Sequence, residues 1–541
     1  MSKKIAIFGG GITGLTIAHE LNKNGYDIEI YELSSNIGGM AKSKRDNLNI
    51  SNEHSFRTIT DSYYNTIDIL KQIPLINNNK LNVYDNLIFG YYQIQIFNYD
   101  DNKNLPFLSY LDGVYMIYLY IKTKLSNKRN TKMYNTKIKP LLKEKLTKDG
   151  YDYIIKLMSI IGPMNINTAS IGNFFDNLNL LQNIQTYFLK NKKSLFYTSF
   201  FNKPTSEAWF DHWISYLQNK GVKIYLNSKL TKINTNNNEI IYCEVNNIPI
   251  KADYYVLSMS PFNTEKVFIN SNLHKLTPMY KNLNVTHNQI SFRIGFNINL
   301  QVDKFKSIFI LYDSPYGIMI NQQDSLWNKN VKLDNNNSIK ALWSGICTES
   351  ITNGLLYNKT LTMNNKLQLY DEILFQLFKS RKFVEYFQNI NPLFSVDNII
   401  YFELYDDWIH YNGVLKSINP KWTDTAFNHE YKPDHKTIYN NMYVSGAHCK
   451  TSTDSWLMEA AVESGKIVSN EILKKNNKSG VFLHDHKYKT FIINLLLLFD
   501  DITYYIFDEY ICILDIFILI ILFALLYLLY NKYITNIQQK D

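Results

Sequence analysis

An apolar run, Ile5-Ala6-Ile7-Phe8, leads without a break into Gly9-Gly10-Gly11-Ile12-Thr13-Gly14 and then into Leu15-Thr16-Ile17-Ala18-His19-Glu20-Leu21. Four consecutive apolar residues bounded by glycine predict a buried parallel strand, and the stretch after Gly14 predicts a helix. Three glycines in G-x-G-x-x-G spacing at such a junction point to a dinucleotide site. Gly9 permits the tight turn, Gly11 lets the backbone approach a pyrophosphate, and Gly14 lets helix and strand pack closely. The amides of the first helical residues, Ile12 and Thr13, then face the phosphate charge. Gly25 turns the chain into a second strand, Asp27-Ile28-Glu29-Ile30-Tyr31, which ends on Glu32. A carboxylate about 20 residues beyond the glycines can accept hydrogen bonds from a ribose. A glycine-rich turn in some other α/β protein is the competing reading, and it does not account for the whole order of strand, glycines, helix, strand and acid.

The segment that follows separates FAD from a nicotinamide. Leu33-Ser34-Ser35-Asn36-Ile37-Gly38-Gly39-Met40-Ala41-Lys42-Ser43 carries a second glycine pair. It resembles the flavin-dependent amine oxidase superfamily, in which such a pair runs along the cofactor. The family motif has Arg on both sides of the pair, whereas this chain has Asn36 and Met40. Any side-chain phosphate contact there is in doubt, while the backbone role of Gly38 and Gly39 is kept. Glu53-His54-Ser55-Phe56-Arg57 resembles a stretch of the phytoene desaturase and hydroxysqualene dehydroxylase branch that passes near the flavin ring.

Near the other end, Asn441–Gly446 reads as a strand and Trp456–Gly465 as the start of a helix. This resembles the family's closing motif, which implies cofactor contacts from Gly446, Trp456, Met458, Glu459 and Ala460. Ala447 stands where a ribityl-binding carboxylate is common, and Ala460 where glycine is common. His448 could compensate, or could be a loop histidine facing solvent. Gly221–Leu226 and Leu230–Ile233 read as paired strand pieces ahead of a buried strand with a turn, Ala252–Pro261. Leu230 falls where the family places its adenine-contacting apolar residue. The resemblance runs from about Lys3 to Glu471, is thinnest between Asn77 and Ser194, and implies non-covalent FAD. Cys449 does not sit in the Ser-Gly-Gly-Cys-Tyr setting of covalent flavin attachment.

With 541 residues, the chain exceeds what one hydrophobic core usually supports. The expected class is α/β: a Rossmann-type FAD-binding domain assembled from discontinuous segments, an interleaved α+β substrate domain, and a C-terminal transmembrane or membrane-associated helix. The segments read as FAD-binding over 1–76, 195–262 and 431–475, and as substrate domain over 77–194 and 263–430. A juxtamembrane linker follows over 476–510 and the helix over 511–534. The net charge of +9 reads as spread along the chain, with no block dense enough for a nucleic-acid arm. A weakly basic surface suits a solvated face and also anionic lipid. Four cysteines, Cys243, Cys347, Cys449 and Cys512, sit far apart with no CxxC pair or disulfide framework, which suits a reducing compartment. Met1-Ser2-Lys3-Lys4 leads straight into a strand with no signal peptide visible, so the catalytic part is expected in the cytosol.

No Ser-His-Asp set, metal cluster or paired carboxylates stand out. His54 and Arg57 are the candidate catalytic residues, although either could instead tie down its loop. Without a second dinucleotide motif, electrons would leave to a diffusible acceptor, oxygen or a quinone. In the tail, Ile516–Tyr530 carries no charge. Those residues span about 22 Å as a helix, and extension to 511–534 covers the ~30 Å hydrocarbon core with Asp515 and Lys532 near its ends. A buried docking helix and a re-entrant hairpin of 491–499 with 511–530 are the alternatives. The branch resemblance and the tail imply a desaturase- or oxidase-type enzyme on a lipophilic, isoprenoid or lipid substrate. An amine or protoporphyrinogen oxidase, a non-redox flavin isomerase or hydratase, and a flavin-binding scaffold remain open.

Overall fold

The computed structural model describes residues 2–161, 164–178, 197–283, 288–405, 408–487, 491–508 and 511–538. Residues 179–194 of the first substrate segment lie outside these. The chain starts with β1 (Lys4–Phe8), α1 (Ile12–Lys23) and β2 (Asp27–Tyr31), then reaches α2 (Tyr64–Gln72). The helices that follow include α3 (Tyr110–Lys124), α4 (Asn127–Met133) and α5 (Lys148–Ile161). The chain then returns through β3 (Lys223–Tyr225) and β4 (Tyr254–Leu257), and later through β5 (Met442–Val444) and α6 (Met458–Lys475). It ends in α7 (Phe491–Phe507) and α8 (Ile513–Gln538).

The five strands form one parallel sheet in the order β3-β2-β1-β4-β5. This is the order of a Rossmann-type sheet. Ile7 pairs with Ile30 on one side and with Val256 on the other, so β1 lies at the centre, where only an unbroken apolar strand can be buried on both faces. Helices α1 and α6 pack together: a Cβ on Gly465 would come within 2.8 Å of the Thr16 side chain.

Leu230–Asn236 does not pair with the strand before it, contrary to the sequence reading. It opens a separate antiparallel meander with Glu239–Val245 and Ile248–Ile250, while β3 joins the parallel sheet beside β2. The chain reverses at Asn227, whose φ of 51° suits Asn, and Ser228 N–H then bonds the Glu32 carbonyl.

A second sheet of six strands runs in the order Ile399–Leu404, Ile290–Phe296, Ala341–Cys347, Ile318–Gln322, Ile308–Leu311, Ile94–Phe97. One face buries Phe292, Phe296, Trp343 and Phe383. A helical bundle built on α3 and α5 buries Leu119, Tyr120, Ile154 and Ile155 with Phe174 and Phe175.

The tail holds two helices, α7 and α8. Asp500 in α7 makes a buried ion pair with Arg129 in α4 and accepts the Ile513 N–H at 2.9 Å. Asp515, in the first turn of α8, accepts the Tyr118 hydroxyl at 2.6 Å. Ile513–Lys532 is, by length and composition, apolar enough to cross a membrane, and its apolar window is not buried against the body.

Candidate active site

A cavity of about 790 Å³ opens where the glycine loop, the Gly38-Gly39 turn, the Glu53–Arg57 segment, the loop before α6 and the second sheet converge. Gly9, Gly11, Ile12, Thr13, Glu32, Gly38, Gly39, Met40, His54, Arg57, Leu230, Gly446, Trp456 and Met458 all line it. Gly14, Glu459 and Ala460 do not.

Each glycine has a separable reason. Gly9 adopts φ of +114°, and a Cβ there would fall 2.4 Å from the Ser258 carbonyl oxygen. A Cβ on Gly14 would lie 2.0 Å from the Gly9 carbonyl oxygen, so Gly14 holds helix to strand without touching the cavity. A Cβ on Gly11 would meet nothing closer than the Gly39 Cα at 3.8 Å and would point into open space. Gly39 has φ of +56°, and its own Cβ would approach the Gly11 Cα to 3.0 Å. The two glycine pairs therefore meet backbone to backbone, and Gly38 N–H donates to the Gly10 carbonyl at 2.9 Å.

The α1 N-cap is Gly11, which offers no side chain to the first-turn amides. Those N–H groups remain available to an anion in the cavity. Glu32 accepts from Gly10 N–H at 2.7 Å and from Ser34 N–H and Oγ at 2.8 Å each, which fixes its carboxylate at the rim.

Glu459, expected at the cofactor, does not line the cavity. Its carboxylate accepts from the backbone N–H and side chain of Asn65 (2.9 Å each), from Thr66 N–H (2.9 Å) and from Thr66 Oγ (2.7 Å), with His486 Nε2 at 2.7 Å. It caps the start of α2. Burial raises the carboxyl's pKa, but the His486 and Thr66 contacts more than offset this and hold it below its ordinary value. Ala460 is fully buried, and its neighbour Ala461 lines the cavity instead while accepting Thr13 Oγ at 3.0 Å. On a helix, neighbouring residues point in different directions, and a linear motif does not give the rotation.

His448 is not a solvent-facing loop histidine. It lines the cavity, is buried, and is held neutral, with burial pushing its pKa down to about 3. Its Nε2 and the Ser258 Oγ are buried polar atoms without a hydrogen-bond partner, and both residues line the cavity. Such orphaned atoms are costly unless a ligand or water completes them.

At the far end lies Lys421, which sequence reasoning missed. Its Nζ donates to the Gln289 carbonyl at 3.0 Å and lies 2.7 Å from His54 Nδ1. A protonated Lys421 has no lone pair to accept with, so in that form Nδ1 is the acceptor and the ring proton sits on Nε2. Ser291 Oγ, 2.9 Å from the same Nδ1, donates to the His54 carbonyl. Nothing near Lys421 in sequence marks it; only the chain path brings Pro420-Lys421-Trp422 against His54.

Arg57 donates to the Met40 carbonyl, which ties the Glu53–Arg57 segment to the glycine turn. Burial lowers its guanidinium pKa, and Glu53 opposes this. Glu53 itself is fully buried, accepts from Thr205 Oγ at 2.7 Å and Gln323 Nε2 at 2.8 Å, and faces Arg293 at 3.5 Å. The segment is thus braced on the second sheet. Ile160, Met319, Ile346 and Phe56 give this end an apolar wall.

A sequence model described as an NAD(P)-binding Rossmann-like domain matches residues 7–73. No curated protein sequence matches the chain. Among solved structures, putrescine oxidase bound to putrescine is similar at 12% identity and TM-score 0.61, covering 88% of this chain and 99% of its own. Cyclohexylamine oxidase from Brevibacterium oxydans IH-35A is similar at 11% identity and TM-score 0.58, with 88% and 100% covered. Reduced UDP-galactopyranose mutase is similar at 12% identity and TM-score 0.57, with 88% and 96% covered. At such identities the likeness establishes the fold.

Proposed function

We propose that the chain is an FAD-dependent oxidoreductase that removes hydride equivalents from a lipophilic substrate at a membrane. The observation that carries this reading is a single cavity that joins the uncapped α1 amides, the Glu32 rim and an apolar wall. A nicotinamide site needs neither the Gly38-Gly39 turn packed on Gly11 nor the start of α6, and both line the cavity. FAD, when bound, supplies the hydride acceptor.

The protein's own groups then have defined tasks. Ile12 and Thr13 amides offer positive dipole ends to the pyrophosphate, Glu32 accepts from a ribose, and Leu230 gives apolar contact to the base. His448 Nε2 and Ser258 Oγ offer polar contacts along the same wall, in place of the carboxylate absent at Ala447. Lys421 holds His54 in its Nε2–H form and, with Arg57, puts positive charge at the reacting end. Phe56, Ile160, Met319 and Ile346 keep water out, and an apolar wall selects an apolar substrate. Cys449 is buried outside the cavity lining, with burial raising its thiol pKa, which supports non-covalent binding. Electrons would pass to oxygen or a quinone. Helix α8 would anchor the chain in the bilayer with the catalytic body on the cytosolic side.

Purified full-length protein should be yellow and should bleach anaerobically with the lipid that mass spectrometry finds in its extract. Protein that stays colourless after reconstitution with FAD refutes the reading. Turnover that requires reduced flavin without net electron transfer replaces an oxidoreductase by an isomerase.

A further inference from the structure

The net charge of the chain is not spread along it. From Lys122 to Lys148 there are ten Lys or Arg and one acidic residue, Glu144, a local net of +9 that equals the total. The remainder of the sequence balances to zero. This basic stretch follows directly on an apolar surface that the fold leaves bare. Phe107 is 64% exposed, Tyr110 85%, Leu111 77% and Ile117 56%. Leu111, Val114 and Ile117 fall on one stripe of α3, opposite its buried Leu119 and Tyr120. A water-facing helix surface normally carries the reverse pattern.

Three contacts place these features together. Asp112 in the first turn of α3 accepts Thr147 N–H at 2.9 Å and Thr147 Oγ at 2.6 Å, which sets exposed Lys145 and Lys148 beside the start of α3. Exposed Lys128 and Lys132 follow its end, on α4. Tyr118 and Lys122 on α3 reach Asp515 at 2.6 and 3.6 Å, so the stripe adjoins the residue from which α8 leaves the body. Helix α7, held to α4 through Asp500, exposes Phe491, Leu498, Ile502 and Tyr505 in turn.

We infer that the bare face of α3 with residues 105–108, together with the exposed face of α7, lies in the plane of an anionic lipid bilayer, with exposed Lys128, Lys132, Lys145 and Lys148 on the headgroups. This rests on the membrane reading above and adds a second, in-plane contact to it. An amphipathic surface of this kind sinks its apolar residues about 5–10 Å into the headgroup and acyl boundary. Each Lys near an anionic surface adds about 1 kcal/mol, and the attraction falls with salt. The same bundle supplies Ile160 to the cavity wall through α5, so the surface that meets lipid and the wall that meets substrate belong to one helical unit.

The test uses the full-length chain in phosphatidylserine-containing and in purely zwitterionic vesicles. The four native cysteines are buried, so a single introduced cysteine can carry an environment-sensitive fluorophore. Labels are placed at Leu111→Cys, Ile117→Cys, Leu522→Cys in α8 and Leu393→Cys, an exposed loop position outside α3, α7 and α8. Labels at 111 and 117 should shift to the blue and be quenched at least about twofold by lipid-borne nitroxide, as a shallow apolar insertion requires. The label at 393 should stay in water. The double variant Leu111→Glu/Ile117→Glu should lose vesicle contact at the 111–117 surface, read by a label at Val114→Cys, while a label at 522 remains quenched. Labels at 111 and 117 in water with 522 quenched overturn this inference and leave the anchor standing. A label at 522 in water overturns the anchor. Equal quenching at 111 in both vesicle types removes the role of the lysines and with it the anionic partner.

Discussion

Replacing Glu459 by alanine separates a cofactor contact from a structural cap. The buried carboxylate accepts four hydrogen bonds from Asn65 and Thr66 and pairs with His486, so the substitution strips the cap from α2 and orphans several buried donors. Losing a helix cap costs about 0.5–2 kcal/mol, and each buried donor left unpaired costs about 1–3 kcal/mol. These terms overlap, and breaking a buried pair by removing one partner costs about 3–5 kcal/mol in all, which is the expected loss. Glu459→Gln keeps the shape and should lose less. Because the native carboxyl is held below its ordinary value, its contribution is present above about pH 4.3 and disappears as the pH falls through the lower native value. Urea denaturation of the flavin-free protein measures the loss, and flavin titration of the folded variant measures binding. Unchanged stability with a flavin affinity lowered tenfold or more would return Glu459 to the cofactor and refute the cap.

Gly11→Val should fold, because its Cβ meets open space, but should lose flavin at least about tenfold in affinity, since the side chain enters the pyrophosphate approach; Gly14→Ala should instead destabilise the flavin-free fold, as its Cβ collides with the Gly9 carbonyl. Calorimetry and absorbance distinguish the pair. Burial lowers His19 to about 3, His435 to about 4 and His448 to about 3. The unfolded chain binds protons below about pH 6.5 that the native protein refuses, so stability should fall from there towards pH 4, and His435→Gln should lessen the slope by up to about 1.4 kcal/mol per pH unit. A slope unaffected by that substitution would contradict the burial. Asp500→Ala should break the buried pair with Arg129 at a cost of about 3–5 kcal/mol and release α7 to limited proteolysis. Retained protease resistance would show that α7 is held elsewhere.

The parts legible in the sequence were those set by backbone constraints over short distances. Gly9 is required by its φ of +114° and Gly14 by the Gly9 carbonyl 2.0 Å from its Cβ, and an unbroken apolar run such as Ile5–Phe8 can only be central. The likeness at Gly38-Gly39 was readable for the same reason, since backbone packing on backbone tolerates only glycine. The pairing of Leu230–Asn236 was misread because adjacent strands usually pair, and only the reversal at Asn227 sends one to the parallel sheet and the other to a meander. Glu459 and Ala460 belong to a motif whose helix rotation is fixed by packing against α1 and α2, not by spacing. Lys421 was invisible because it meets His54 across 367 positions of sequence. The basic stretch and the apolar stripe of α3 could each be read along the chain, yet their union beside Asp515 depends on contacts between α3, α4, α5 and the tail. Local sequence therefore determined the β1–glycine–α1 turn, because positive φ at Gly9 and the Gly9–Gly14 contact are limits that act within a few residues. Tertiary structure decided the His54–Lys421 end of the cavity and the bare apolar surface of α3, because charges and apolar side chains act on whatever the fold brings within a few ångströms.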